Sequence, residues 1–315
     1  MFPWNEPILE AFKARLARLP HAILIHGAQG VGKLGLAERI AQTLLCEGAT
    51  KPCGVCEGCR WFAAASHPDF RRVEPEALAK EPVVTDEDDE APARKGKPSI
   101  EIKIEQVRAL SDFLNIGSHR GKLRVALIHP AEDMNVYAAN ALLKALEEPP
   151  PGAVFILVSH RPARLLPTVR SRCVALAVPI PPREAALQWL SAQGAKNAER
   201  WLAYAGGAPL RAMDYSAAAA KLDAMLRAAA PVEDRDDLEL FADALQKISL
   251  DRALAAFGLP AKYGTAAAAA PSQATGWLRF MREMGERRAL CRHPLNARLF
   301  SAEMLAALPK SRETG

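Results

Sequence analysis

Four cysteines crowd into one short stretch as Cys46-x6-Cys53-x2-Cys56-x2-Cys59, while Cys173 and Cys291 stand alone. Four thiolates in one loop can converge on a tetrahedral Zn2+ at about 2.3 Å each. Such a closed shell leaves no position for water, so the metal it implies is structural and holds a segment too small to fold by burial alone. A redox pair or unrelated thiols is the alternative, but the two-residue gap repeated twice leaves a redundant third cysteine. Cys173 and Cys291 read as plain core residues.

A second cluster precedes the cysteines. Gly27-Ala28-Gln29-Gly30-Val31-Gly32-Lys33-Leu34 fits G-x-x-x-x-G-K between an apolar run and a helical pattern. Glycines there let backbone N–H groups wrap a phosphate at the helix N-terminus, and Lys33 reaches the terminal phosphates. Leu34 stands where a Ser or Thr hydroxyl binds Mg2+, which removes one metal ligand. The same stretch satisfies Gly30-x-Gly32-x-x-Gly35, a dinucleotide fingerprint. That reading is the weaker, since a second strand ending in an acid is required and the helix instead runs into the cysteines.

A nucleotide site also needs an apolar strand ending in carboxylate. The candidate strand, Arg124 to Ile128, is followed by His129 and Pro130, and Glu132 and Asp133 come several residues late. Two groups needed for hydrolysis are thus missing, and phosphoryl transfer depends on them for most of its acceleration. Gly27, Gly30, Gly32 and Lys33 therefore make a degenerate loop, expected to bind ATP poorly and to hydrolyse it hardly at all. His129 reads as an ordinary loop histidine.

The surrounding elements fit a sheet that positions these loops. Ile8, Leu9, Phe12, Leu16 and Leu19 fall on one helical stripe over 5–19, with Asn5 as N-cap. Strands are predicted at 22–26, 70–73, 123–128, 154–158 and 174–178, and helices at 34–45, 104–114, 136–147 and 165–169. Such alternation predicts an α/β domain with a parallel sheet covered by helices on both faces. Residues 76–99, with Asp86 to Glu90 in a row, Arg94, Lys95, Lys97 and several prolines, read as a charged surface insert. Pro179, Pro181 and Pro182 mark a boundary, after which the pattern is helical, becoming alanine-rich from about 216.

Composition sets the outer limits. The 315 residues carry 41 basic and 36 acidic side chains for a net charge of +5, and half of them are apolar. At roughly 100–200 residues per domain this predicts two or three domains and excludes collagen-like or disordered chains. No apolar stretch approaches the ~18–20 residues of a membrane span, and the start lacks a signal-peptide pattern, so a cytoplasmic location is expected. The net charge is compatible with nucleic acid nearby without establishing contact.

More distinctive residues follow: Asn140-Ala141-Leu142-Leu143-Lys144-Ala145-Leu146-Glu147-Glu148-Pro149-Pro150, and Ser171-Arg172-Cys173 after Leu165-Leu166-Pro167-Thr168-Val169-Arg170. With Leu19-Pro20-His21-Ala22 and the cysteine loop, they resemble the bacterial clamp-loader family over roughly residues 1–215. The resemblance implies an AAA+ architecture. Residues 1–179 would form the P-loop-like domain with its zinc module (46–59) and insert (76–99), 180–215 a small helical lid, and 216–315 an all-helical collar that assembles a ring. It also implies motor (gamma/tau-type) and delta-type subunits as partners, with the sliding clamp and primer–template DNA met through the complex, as part of a DNA polymerase holoenzyme and with no membrane involved.

Leu34 and His129-Pro130 place the chain among the family's non-motor members. In that family the arginine of the Ser-Arg-Cys motif enters the ATP site of the next subunit, so Arg172 is expected to be an arginine finger supplied in trans. A guanidinium suits that role, being always charged and matching phosphate oxygens with its planar fork. Its alternative is a mere pairing with a carboxylate at a helix end. Arg211, in Gly206-Gly207-Ala208-Pro209-Leu210-Arg211, occupies the region of the lid arginine that senses nucleotide. Glu147 and Glu148 read as structural, because adjacent helical residues diverge by about 100°.

Two other classes of function compete with this one. A self-sufficient motor-type ATPase would use Lys33 with Glu132 or Asp133 in place of the missing acid. An independent nucleic-acid reader built on the cysteines would need basic and aromatic residues interleaved, which Lys51–Arg60 lacks.

Overall fold

In the computed structural model the described residues are 1–79, 98–116, 123–228, 230–265, 269–291, 293 and 295–309, with backbone alone at 226–228. They form two compact units, Met1–Ile180 and Pro181–Gly315. The acidic run of the expected insert lies outside the described residues. Its base does not: Ala77 N–H donates to the Ser99 carbonyl at 3.0 Å, and Ser99 N–H to Glu76 Oε2 at 3.1 Å.

The first unit is the expected parallel α/β domain. Its helices are α1 (Glu6–Lys13), α2 (Lys33–Leu45), α3 (Glu57–Ala63), α4 (Ile104–Asn115), α5 (Val136–Glu147) and α6 (Pro167–Arg170). Its strands are β1 (Ala22–His26), β2 (Phe70–Val73), β3 (Arg124–Ile128), β4 (Ala153–Ser159) and β5 (Val174–Ala177). The order across the sheet is β2-β3-β4-β1-β5, and every neighbouring pair is parallel. β3 and β4 are buried along their whole length, as strands with both faces covered must be, so apart from Arg124 and Ser159 at their ends they read as apolar runs. Leu142 and Leu146 of α5, Val107 and Leu110 of α4, and Phe155 of β4 share one core. β1 sits between β4 and β5, which puts the glycine loop after His26 at the carboxyl edge of the sheet.

The helix expected over 5–19 is shorter than its stripe. α1 ends at Lys13, and Leu16–Arg18 forms a 3-10 turn. Pro20 ends that turn, since a residue before proline is driven out of the helical region, and Leu19 is extended at φ −63°, ψ 120°. Asn5 does hold the N-cap position, but its side chain makes no capping bond. α3 was not foreseen, being seven residues with no full apolar period.

The second unit is helical in every element: α7 (Arg183–Ala192), α8 (Ala198–Tyr204), α9 (Pro209–Ala217), α10 (Ala219–Ala228), α11 (Leu238–Ala256), α12 (Ala274–Leu290) and α13 (Ala297–Ala306). One apolar cluster gathers Leu190, Trp201, Ala212 and Leu222, and another gathers Phe241, Trp277, Phe280 and Met304. α11 contributes to both, through Ala244 and Phe241. No described helix is long and apolar enough to cross a membrane.

Candidate functional site

Where β1 ends, the backbone adopts conformations that need glycine. Gly30 and Gly32 have φ of +85° and +83°, in the left-handed region. Crowding adds to this, because a Cβ on Gly32 would lie 2.3 Å from the Phe2 ring and one on Gly27 would lie 2.2 Å from the Val178 carbonyl oxygen. The amino-terminal turn is tied to the loop: Trp4 Nε1 donates to the Val31 carbonyl at 2.9 Å, and Asn5 Nδ2 donates to the carbonyls of Val31 (3.2 Å) and Gly32 (3.1 Å). That is where the Asn5 side chain goes instead of capping α1. Lys33 is buried and donates to the carbonyls of Gly27 (2.9 Å) and Ala28 (2.5 Å). Burial lowers its pKa to about 8, with Glu132 opposing the shift.

Facing this loop, β3 delivers His129 rather than a carboxylate. His129 Nε2 lies 3.3 Å from Nε2 of His160, which follows β4, so one ring donates and the other accepts. Burial, then the neighbouring His160, hold the His129 pKa at about 3 against the opposing pull of Glu132. A neutral imidazole is a poor substitute for a magnesium-binding oxygen, because Mg2+ selects hard oxygen donors. Glu132 sits in the 3-10 turn Ala131–Asp133, and its Oε1 accepts from the backbone N–H groups of His160 (2.9 Å) and Arg161 (3.0 Å). That oxygen fixes the turn after β4 and does not stand at the end of β3.

A pH dependence follows from the His129 shift. Its folded value of about 3 lies below the unfolded value of 6.5, so the unfolded chain binds the extra proton first on acidification. The stability linked to this residue is complete above pH 6.5 and is lost as pH falls from 6.5 towards 3. Chemical denaturation of wild type and His129→Gln across that window is expected to show a shallower decline in the variant; parallel curves would contradict the assignment.

The four cysteines meet as the spacing predicts. All four Sγ atoms lie within 4.8 Å of one another. A tetrahedral site with bonds of about 2.3 Å requires sulfurs about 3.8 Å apart, and Cys46 and Cys56 are separated by 3.9 Å. The donor set and spacing therefore fit a metal ion. Backbone N–H groups support the sulfurs: those of Gly48 and Cys53 donate to Cys46, that of Cys56 to Cys53, and that of Cys59 to Cys56. Burial raises the Cys56 pKa, but the N–H groups of Cys59 and Glu47 outweigh it and bring it down to about 6. Cys59, the most enclosed, is pushed up to about 12 by burial. A Cβ on Gly58 would lie 2.8 Å from the Leu45 carbonyl oxygen, so α3 packs against the end of α2 only because residue 58 has no side chain.

Arg172 lies in the turn between α6 and β5. Its Nη2 is 2.6 Å from Glu147 Oε1, and its Nη1 donates to the Thr168 carbonyl at 2.8 Å and to Ser171 Oγ at 3.4 Å. Both partners of the ion pair remain open to solvent, with side-chain exposures of 34% and 49%. The pairing with a helix-end carboxylate, held above as the alternative, is thus present. It leaves part of the guanidinium's donor fork free for another acceptor. The Leu19-Pro20-His21-Ala22 motif meets the same helix end, since His21 Nε2 lies 3.1 Å from the Leu146 carbonyl oxygen. Cys173 packs against the core, and burial raises its pKa to about 11.

Arg211, on α9, belongs to a network inside the second unit. It donates to the Tyr215 hydroxyl, and Asp243 accepts from Tyr215 (2.5 Å), Lys247 (2.7 Å) and Arg288 (2.6 Å). Burial lowers Lys247 to a pKa of about 8, against the pull of Asp243. Asp243 and Lys247 show helical spacing in the sequence, but nothing there points to Arg288, which is 45 residues away.

Against known proteins, residues 5–181 match the family model described as DNA polymerase III, delta subunit. The DNA polymerase III subunit delta' of Pseudomonas aeruginosa is 41% identical over 218 residues, covering 67% of this chain and 60% of that protein. That of Escherichia coli (strain K12) is 34% identical over 206 residues, 64% of this chain and 56% of that protein. DNA polymerase III subunit tau of Salmonella typhimurium is 34% identical over 161 residues, 50% of this chain and 22% of that protein. The matched part of the chain thus spans less than two thirds of the length of these relatives.

Proposed function

From the premise that this chain belongs to the DNA polymerase III, delta subunit family, we propose that it is a delta-prime-type subunit of a bacterial clamp loader that does not itself burn ATP. In this reading it braces the ring of a cytoplasmic complex with motor (gamma/tau-type) and delta-type subunits. Arg172 enters a neighbouring motor's ATP site while the complex loads the sliding clamp onto primed DNA. Residues 180–215 serve as the lid and 216–315 as the collar. Cys46, Cys53, Cys56 and Cys59 hold a structural Zn2+, which fastens α3 to the end of α2.

One observation carries the proposal: the oxygens that would anchor magnesium are gone. Leu34 follows Lys33, His129 follows β3, and the nearby carboxylate Glu132 sits in the 3-10 turn beyond it with its Oε1 committed to two backbone N–H groups. Without a hydroxyl at position 34 or a carboxylate directly after β3, the chain would lack the two groups that ordinarily hold Mg2+ and orient the attacking water. The arginine reading is supported by Arg172's placement on a solvent-facing turn with a planar fork.

Equilibrium ATP binding by the isolated chain, with turnover followed in the same sample, tests the reading. Weak or no binding and no turnover above background are expected. Robust turnover that Lys33→Ala abolishes would replace this reading with the motor-type one, in which Lys33 works with Glu132 or Asp133.

A further inference from the structure

We infer that Glu147 is a positioning residue for Arg172: its carboxylate fixes the guanidinium in the orientation from which it reaches an anionic ligand on a neighbouring chain. The inference rests on the arginine-finger reading and adds a residue to it. Glu147 is the last residue of α5, where the helix dipole disfavours a negative charge. Helix stability therefore does not account for a glutamate there. Nor does fold stability, because an exposed ion pair contributes little.

What the pair does supply is direction. An arginine side chain carries substantial rotamer entropy, which a free guanidinium loses at the moment it meets the transition state. Here that ordering has already occurred. Glu147 Oε1 holds Nη2 at 2.6 Å, while the Thr168 carbonyl and Ser171 Oγ hold Nη1 at 2.8 and 3.4 Å. The grip comes from α5 and from α6 with the turn that follows it, and the two helices are anchored in the core by Leu146 and Val169. A preorganised donor stabilises developing charge without reorganisation, and loss of that geometry by about 1 Å can cost up to about 10²-fold in rate. Nη1 is engaged twice and Nη2 once, so the Nε–H and one N–H of Nη2 remain for phosphate.

The test uses the whole complex, reconstituted from this chain and the clamp-loader subunits, clamp and primed DNA of its own organism. DNA-stimulated ATP turnover is measured against ATP concentration for wild type, Glu147→Ala, Glu147→Asp, Arg172→Ala and the double variant Glu147→Ala/Arg172→Ala. Glu147→Ala is expected to lower kcat by about three- to tenfold with KM within about twofold, and Glu147→Asp to recover part of the loss. Thermal unfolding of the isolated variants should coincide with wild type. The double variant should be no slower than Arg172→Ala, since Glu147 acts only through Arg172. Wild-type or faster turnover by Glu147→Ala, while Arg172→Ala is slow, removes Glu147 from the finger and leaves the finger intact. Further slowing in the double variant overturns the inference too, by showing that Glu147 acts elsewhere. Wild-type turnover by Arg172→Ala itself would dispose of the finger reading and of this one with it.

Discussion

In a reconstituted clamp loader, Arg172→Ala is expected to leave the ring assembled while ATP turnover at the site it reaches falls by about 10³-fold, the lower end of what arginine fingers contribute. Clamp loading should fall with it. The fold should not notice, because Arg172 is part-exposed and its partners are Glu147, a backbone carbonyl and a surface hydroxyl. Lysine at the same position keeps the charge but not the planar fork, so Arg172→Lys should restore little of the rate. The comparison separates electrostatic bracing of the ring from transition-state contact: bracing would survive the lysine substitution, and contact with phosphate oxygens would not. Complexes that carry Arg172→Ala and load clamps at the wild-type rate would end the proposal.

The lysine of the glycine loop and the histidine after β3 are legible in the sequence because each lies next to a local signal. Lys33 follows glycines whose spacing demands left-handed backbone, and His129 follows an apolar run that can only be a buried strand. Long-range partners carried no such signal. That Glu132 would bind the turn after β4 depends on β3 and β4 being neighbours, and their register cannot be read from either strand alone. Asn5 shows the same limit: its type and place announce an N-cap, yet two carbonyls of the glycine loop compete for its amide and win. Glu147 was read as structural on the ground that it diverges from Glu148. Its divergence from Glu148 says nothing of its partner Arg172, which lies 25 positions on, beyond β4 and α6.

Metal analysis of the chain, purified under reducing conditions, is expected to give about one equivalent of zinc, and a chelator that strips it should destabilise the first unit by several kcal/mol. Structural zinc sites contribute about 10–16 kcal/mol where the metal is the sole organiser of a peptide. Less is expected here, since α2 already anchors Cys46 through a core that includes Ile40 and Leu44. What the metal alone organises is the run from Gly48 to α3. Its few buried groups, Gly58 and Cys59 among them, are held against α2 through the sulfurs. With the metal gone, four sulfurs within 4.8 Å remain, one of them with a pKa near 6 and another near 12, so any thiolate charge they keep is unscreened and crowded. Hydrogen exchange should then rise across 46–63 while β1, β3 and β4 stay protected. Serine at all four positions should reproduce the stripped protein, and serine at Cys173 should leave both metal and exchange unchanged, because that thiol packs in the core. Fully reduced protein that lacks metal yet keeps its unfolding midpoint and its protection at 46–63 would show that these thiols hold the module by packing alone.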